Sequence, residues 1–293
     1  MFSSLPYYRS LLALALFVIL ISCSDSNGII EQELDENTIV GKYGQLSLNG
    51  NNIVDKNGSA IALRGMSLFW SQLAPSYYNE ETIKWLRDDW KCTVIRVAMG
   101  VEYGGYLDNS EMEYWKVVSA IDACINLGIY VIVDWHDHNA EDHLEEAKEF
   151  FKDISQKYGN RENIIYEIYN EPLDVSWTNT LKPYSEAIIS EIRKNDPDNL
   201  IIAGTPNWSQ DVEVVIGNQI DDDNIAYSLH FYTGTHRQWL RDKSDKALNA
   251  GIPIYVSEWG LSESDGDGII DINETNRWTD YLEDNNLSWC NWS

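Results

Sequence analysis

Two glutamates stand where carboxylates are costly as packing and useful as reagents. Glu171 closes the run Ile168-Tyr169-Asn170-Glu171-Pro172, and Glu258 sits within Tyr255-Val256-Ser257-Glu258-Trp259-Gly260. Each follows an apolar, β-branched stretch and falls where a strand should stop. A charged group at a strand end is expensive to bury without a partner or a task. The two lie about 90 residues apart in a chain that alternates strand and helix, which suggests a carboxylate pair facing one cleft. One carboxylate can attack while the other donates a proton, the division of labour that hydrolysis of a glycosidic bond requires.

Such a pair needs a rigid frame. Candidate strands fall at 61–68, 93–99, 130–136, 164–170, 200–204, 225–232, 253–258 and 288–292. Helical patterns lie between them at 80–90, 110–127, 142–158, 178–194, 210–216, 235–250 and 272–284. Asn126-Leu127-Gly128 and Asn249-Ala250-Gly251 read as helix stops. Residues 41–60 carry hairpin chemistry around Asn49-Gly50-Asn51-Asn52. The strands are apolar runs, as parallel strands covered on both faces should be. Eight of them with intervening helices predict a (β/α)8 TIM barrel with an N-terminal β-hairpin over residues 41–293. The alternative, a doubly wound open sheet, usually carries a Gly-rich loop after its first strand, and none is present. The chain stops at Ser293, directly after the eighth strand, so the final helix is expected to be missing and apolar barrel surface to be left open.

Composition narrows the partners. Of the 293 residues, 47 are Asp or Glu and 21 are Lys or Arg, for a net charge of -26. That balance argues against nucleic acid, whose phosphates need a positive footprint, and leaves a neutral polysaccharide open. Twelve Trp and 17 Tyr against six Phe favour flat faces with polar edges, which suit sugar rings. Arg9 precedes a short apolar run at 11–21 that ends in Leu20-Ile21-Ser22-Cys23. This resembles a bacterial lipoprotein signal: residues 1–22 as signal peptide, Cys23 as the lipidated N-terminus, and 23–40 as an acidic flexible linker. The protein is then expected to be exported and to touch the membrane only through that anchor, as a monomer. Cys92, Cys124 and Cys290 follow no metal or redox spacing and read as buried thiols.

If the strands close into a barrel, the polar residues at their C-terminal ends are the functional candidates. These are Arg96, His136, His138, Asn170, Glu171, His230, Tyr232, Glu258 and Trp292. The stretches around them resemble glycoside hydrolase family 5, and within it the bacterial endo-β-1,4-glucanases. The matching segments are Leu63-Arg64-Gly65-Met66-Ser67, Val94-Ile95-Arg96-Val97-Ala98-Met99, Val133-Asp134-Trp135-His136, Tyr166-Glu167-Ile168-Tyr169-Asn170-Glu171-Pro172, His230-Phe231-Tyr232, Val256-Ser257-Glu258-Trp259-Gly260 and Leu287-Ser288-Trp289-Cys290-Asn291-Trp292-Ser293, in family order. The resemblance implies a retaining endo-β-1,4-glucanase. Glu171 would be its general acid/base, Glu258 its nucleophile, and Asn170 the partner of the sugar 2-hydroxyl. Arg96 and Tyr232 would orient the nucleophile, His136 and His230 would line the site, and Trp292 would stack against sugar. No cofactor or metal is expected. Arg96 should keep Glu258 charged, and that charge should raise Glu171 towards its protonated form.

The loop after Met66-Ser67 departs from the glucanase pattern, with Leu68-Phe69-Trp70 where related enzymes often carry a histidine. Trp70 is a candidate platform for a more distant sugar. Asp265-Gly266-Asp267-Gly268 with Asp271 resembles part of a calcium loop, but Asn276 stands where an EF-hand needs glutamate, so it reads as a polar loop leading to an Asp271 cap. Mixed-linkage glucan, xyloglucan and mannan are rival substrates of the same two glutamates. A glycan-binding protein on an inactive barrel is the rival of another class, and it should have lost one of them.

Overall fold

Eight parallel strands close on themselves in the computed structural model, which describes residues 35–292. Residues 1–22, Cys23 and the linker as far as residue 34 lie outside the described residues. The barrel strands are β3 (Arg64–Leu68), β4 (Val94–Gly100), β5 (Tyr130–His136), β6 (Ile164–Glu167), β7 (Ile201–Ala203), β8 (Ile225–Tyr232), β9 (Ile254–Gly260) and β10 (Ser288–Asn291). They neighbour one another in chain order, and β10 pairs with both β9 and β3 to complete the ring. Before them, β1 (Ser47–Asn49) and β2 (Asn52–Val54) form an antiparallel hairpin. The helices are α1 (Ile39–Tyr43), α2 (Glu80–Asp88), α3 (Tyr106–Leu127), α4 (Leu144–Tyr158), α5 (Lys182–Ile192), the one-turn α6 (Pro206–Ser209), α7 (Gln238–Asn249) and α8 (Ile272–Asp284). The (β/α)8 reading holds.

The strands alternate between two environments. On β4, β5 and β8, outward residues such as Val97, Val133 and Leu229 join the large core beneath the helices. Inward residues form a second core of Val94, Tyr130, Ile132, Ile165, Ile202, Ala226 and Tyr255, which Leu46 and Ile53 of the hairpin region cover. Two residues further along the same inward rows, the side chains turn polar: Arg96 on β4, Asp134 on β5, Glu167 on β6, Ser228 on β8 and Ser257 on β9, all buried. The interior is thus apolar at the hairpin end and charged towards the C-terminal rim.

Local chemistry ends the helices as expected. Gly128 closes α3 in the left-handed region (φ 66°), and the Asp271 side chain accepts from the Glu274 N–H at 3.1 Å to cap α8. The expected linker to residue 40 is corrected at its end. Thr38 caps α1 and Val40 is fully buried, because this short helix packs its apolar side with the hairpin against the barrel floor. Among the described residues no helix follows β10. A groove of about 710 Å³, lined by Met66, Leu68, Tyr77, Trp85 and Leu86, lies open beside α2. Cys92, Cys124 and Cys290 are buried free thiols.

Candidate active site

Strand β6 stops at Glu167, three residues before the expected end, so Asn170 and Glu171 sit on the segment beyond it. That segment is still laced to β5 and the loop after it: Asn170 N–H donates to the Trp135 carbonyl and Glu171 N–H to the Asp137 carbonyl, both at 3.2 Å. Glu258 lies within β9 itself. One oxygen of Glu171, one oxygen of Glu258 and one ring nitrogen of His230 lie within 4.8 Å of one another. The two carboxylates expected to share a cleft therefore do.

Arg96 organises the floor. It is fully buried and donates to Glu167 through Nε (2.7 Å) and Nη2 (3.3 Å), to Glu258 Oε2 through Nη1 (2.9 Å), and to Asn170 Oδ1 through Nη2 (2.6 Å). Asp134 Oδ2 lies 2.9 Å from the same Nη2. The other oxygen of Glu258 accepts from the Tyr232 hydroxyl at 2.6 Å. Glu258 is thus held by one cation and one phenol, and its direction is fixed. Burial and the neighbouring Glu258 charge hold the Tyr232 hydroxyl well above its usual range, so it stays a donor. Asn170 Nδ2 is buried and has no protein partner, leaving a donor free for a ligand.

Glu171 differs from expectation. Its Oε2 lies 3.2 Å from His138 Nε2 and its Oε1 lies 3.0 Å from His230 Nδ1. Burial raises this carboxyl, but hydrogen bonds from the two histidines outweigh burial, and its pKa lies well below the ordinary value. The expected rise from repulsion by Glu258 is reversed because two imidazoles stand closer. His230 moves the other way: burial lowers it, yet Glu167 and Glu171 lift it to about 9. His138 is also raised, chiefly by Glu171. In this arrangement the proton rests on the imidazoles.

His136 Nδ1 lies 2.7 Å from Asp134 Oδ2. Burial, with Arg96 nearby, lowers this histidine to about 3, so its ring is neutral. Trp292 stacks on it with centroids 5.3 Å apart and planes 6° apart. Trp70 meets the His136 ring edge-on, with centroids 4.9 Å apart, and so packs directly against that histidine. Metal binding by Glu171, His230 and Glu258 fits poorly, since Arg96 and Tyr232 already occupy both Glu258 oxygens.

Glu167, Asp134 and Ser257 were absent from the expected site, although they follow the inward rows of their strands. Trp208 was also missed. It lines a cleft of about 370 Å³ with Glu171, His230, Tyr232 and Trp239. Asn207, Trp208 and Ser209 have φ of 61°, 57° and 55°, an uncommon left-handed run for residues with side chains. The Trp208 N–H donates to the Pro172 carbonyl (2.7 Å) and the Ser209 hydroxyl to the Asn170 carbonyl (2.9 Å). The strained turn is fastened to the loop bearing Glu171, with Trp208 left 43% exposed.

A closed parallel barrel brings two carboxylates together at its C-terminal rim, an arrangement that glycoside hydrolysis uses. The family model for cellulase, glycosyl hydrolase family 5, matches residues 54–293, and the chain belongs to that family. It is 49% identical over 252 residues to endoglucanase Z of Dickeya dadantii, covering 85% of this chain and 59% of that protein. A solved structure from Cytophaga hutchinsonii is 50% identical, with a TM-score of 0.86 over 87% of this chain and 84% of that one. The catalytic domain of Thermobifida fusca endoglucanase Cel5A, solved in complex with cellotetraose, is 32% identical, with a TM-score of 0.84 over 87% of each chain. The chain spans about half to three fifths of the length of the first curated relatives it matches.

Proposed function

We propose that the chain is a retaining endo-β-1,4-glucanase acting on cellulose or a related β-glucan. The observation that carries this reading is the approach of Glu171 and Glu258 to within 4.8 Å between carboxyl oxygens. Retaining enzymes hold their carboxyl groups roughly 5–5.5 Å apart, whereas inverting enzymes leave about 6.5–9.5 Å for a water. The relatives' names and the cellotetraose bound to the Thermobifida fusca domain support the substrate class.

In the first step a Glu258 oxygen attacks the anomeric carbon and forms an ester as the glycosidic C–O bond breaks. Glu171 delivers a proton to the leaving oxygen. In the second step Glu171 takes a proton from water, the oxygen of that water bonds to the anomeric carbon, and the ester breaks to restore Glu258. Asn170 Nδ2 is the free donor for the sugar 2-hydroxyl, and Trp292 is the stacking platform. The Glu171 side chain is 15% exposed. A sugar that excludes water raises a carboxyl and lowers an imidazole, so both effects move the proton from His230 to Glu171 as substrate enters.

Reducing-sugar release from carboxymethyl cellulose, barley β-glucan, xyloglucan and mannan tests the reading. The glucans should be cleaved fastest, and a folded chain inactive on all four would overturn it. The proton needed by the leaving group is present below the raised His230 value and lost as pH rises through it. The alkaline limb of kcat/KM is therefore expected near pH 9; a limb near 6.5, the ordinary histidine value, would contradict this assignment.

The motif Leu20-Ile21-Ser22-Cys23 supports export and attachment to the membrane through lipid on Cys23. Mass spectrometry of the mature N-terminal peptide should find a diacylglyceryl-modified Cys23, and an unmodified or differently cleaved terminus would exclude it.

A further inference from the structure

Glu167 touches neither carboxyl of the proposed catalytic pair directly, yet it is linked to both. It is fully buried beneath the site on β6. On one side Arg96 grips it at 2.7 and 3.3 Å and then reaches Glu258 at 2.9 Å. On the other side Ser257 Oγ donates to Glu167 Oε1 at 2.6 Å. The same Ser257 oxygen lies 2.9 Å from His230 Nε2 and 2.7 Å from Ser228 Oγ, and His230 Nδ1 faces Glu171 at 3.0 Å. The charged and titratable groups around this line are Arg96 from β4, Asp134 and His136 from β5, His230 and Tyr232 from β8, Tyr255 and Glu258 from β9 and Cys290 from β10, with His138 and Glu171 above.

The direction of each hydrogen follows from this geometry. A hydroxyl has one proton, and Ser257 gives it to the Glu167 carboxylate. The Ser257 oxygen can then only accept, so both Ser228 O–H and His230 Nε2 must donate to it. His230 is thereby obliged to carry a proton on Nε2. Its second proton is the one that can move, along the 3.0 Å line from Nδ1 to Glu171. With the proton on Nδ1 the pair is imidazolium and carboxylate. With the proton transferred it is neutral imidazole and carboxylic acid, the form that a general acid needs.

We propose that Glu167 is a positioning residue that holds Arg96 in place against Glu258 and, through Ser257 and His230, sets the proton affinity of Glu171. This rests on the roles proposed above for those two residues. The buried anion fixes the direction of Arg96, whose Nη1 holds Glu258. The same anion fixes the His230 tautomer and stabilises its imidazolium. Burial alone would drive His230 to the neutral form, and its rise to about 9 is consistent with an anion on each side of the ring.

Two variants separate the branches. Glu167→Gln removes the anion from both, so the alkaline limb of the kcat/KM pH profile should move to lower pH by about 1 unit or more, and kcat should fall as Arg96 loses its anchor. Ser257→Ala removes the bridging hydroxyl but leaves Glu167 3.6 Å from His230 Nε2, so the alkaline limb should move in the same direction by less. Glu167→Asp should restore part of the shift. A purely structural role would lower the rate at every pH and move neither limb. The His230 ring titration, followed by NMR and assigned by the signal lost in His230→Gln, reads the same link without turnover. Its midpoint should fall by about 1 unit or more in Glu167→Gln and by less in Ser257→Ala.

Folded variants with unmoved limbs and an unmoved His230 midpoint would overturn the proposal. If Glu167→Gln fails to fold, Ser257→Ala decides alone: an unchanged alkaline limb and His230 midpoint overturn it. A wild-type chain that cleaves no glycan, while Glu167→Gln still shifts His230, would refute the proposed activity and leave the hold of Glu167 on His230 supported.

Discussion

Replacing Glu258 with glutamine should lower kcat on soluble β-glucan by at least ~10⁴-fold, the scale seen when a covalent nucleophile is removed. The amide is nearly isosteric. Its oxygen can still accept from Arg96 Nη1, and its NH₂ can face the Tyr232 oxygen, so the fold should survive. What is lost is the charge that attacks carbon. Binding of cellooligosaccharide should persist, because Asn170, His136 and Trp292 are untouched. A variant that keeps a tenth of the wild-type rate would remove Glu258 from the proposed role.

The second large effect concerns stability. Arg96→Met removes the cation that Asp134, Glu167 and Glu258 share inside a barrel where none of the first two is exposed. Leaving one member of a buried ion pair unpaired typically costs about 3–5 kcal/mol, and here Glu167 and Glu258 are left, while burial already holds Asp134 well above the ordinary carboxyl range with Arg96 in place. The pH dependence has a definite sign. Without Arg96 Glu167 must take up a proton to remain buried, so its folded pKa rises above the unfolded one. Such a group contributes stability that is full below the unfolded value of about 4 and is lost as pH rises through the raised one. In the wild type Arg96 overcomes burial and holds Glu167 down to about 2. Urea unfolding of variant and wild type should therefore show a large deficit at pH 7 that narrows at pH 5. An equal deficit at both would mean that lost packing, not the stranded carboxylates, is responsible.

Much of the frame was legible in the residues because each core strand is long, apolar and bounded by turn chemistry. The spans 130–136, 225–232 and 272–284 coincide with β5, β8 and α8. Shorter elements drifted: β6 ends at Glu167 because the chain leaves the sheet to form the rim, while Ile168 and Tyr169 remain apolar and buried and so look like strand. The polar inner row was harder to see. Glu167 and Asp134 stand inside runs whose outward neighbours are apolar, and only a period of two counted from Ile165 and Ile132 marks them as facing inward. Trp208 sits in a left-handed turn built without glycine, which no local signal announces. The protonation of Glu171 was misjudged because its controlling partners, His138 and His230, lie 33 and 59 residues away. Repulsion between the two glutamates is readable from their types, whereas hydrogen bonds that outweigh it depend on where loops bring the imidazoles.

The double displacement through Glu258 is tested most directly by trapping its intermediate. A 2-deoxy-2-fluoro cellobiosyl fluoride carries a leaving group that needs little acid help and a ring substituent that slows release. Incubated with the folded chain and digested, it should add one fluorocellobiosyl group to the peptide containing Glu258, with the ester on that residue. A label on Glu171 or another residue, or turnover of natural glucan by a chain that never becomes labelled, would contradict the mechanism.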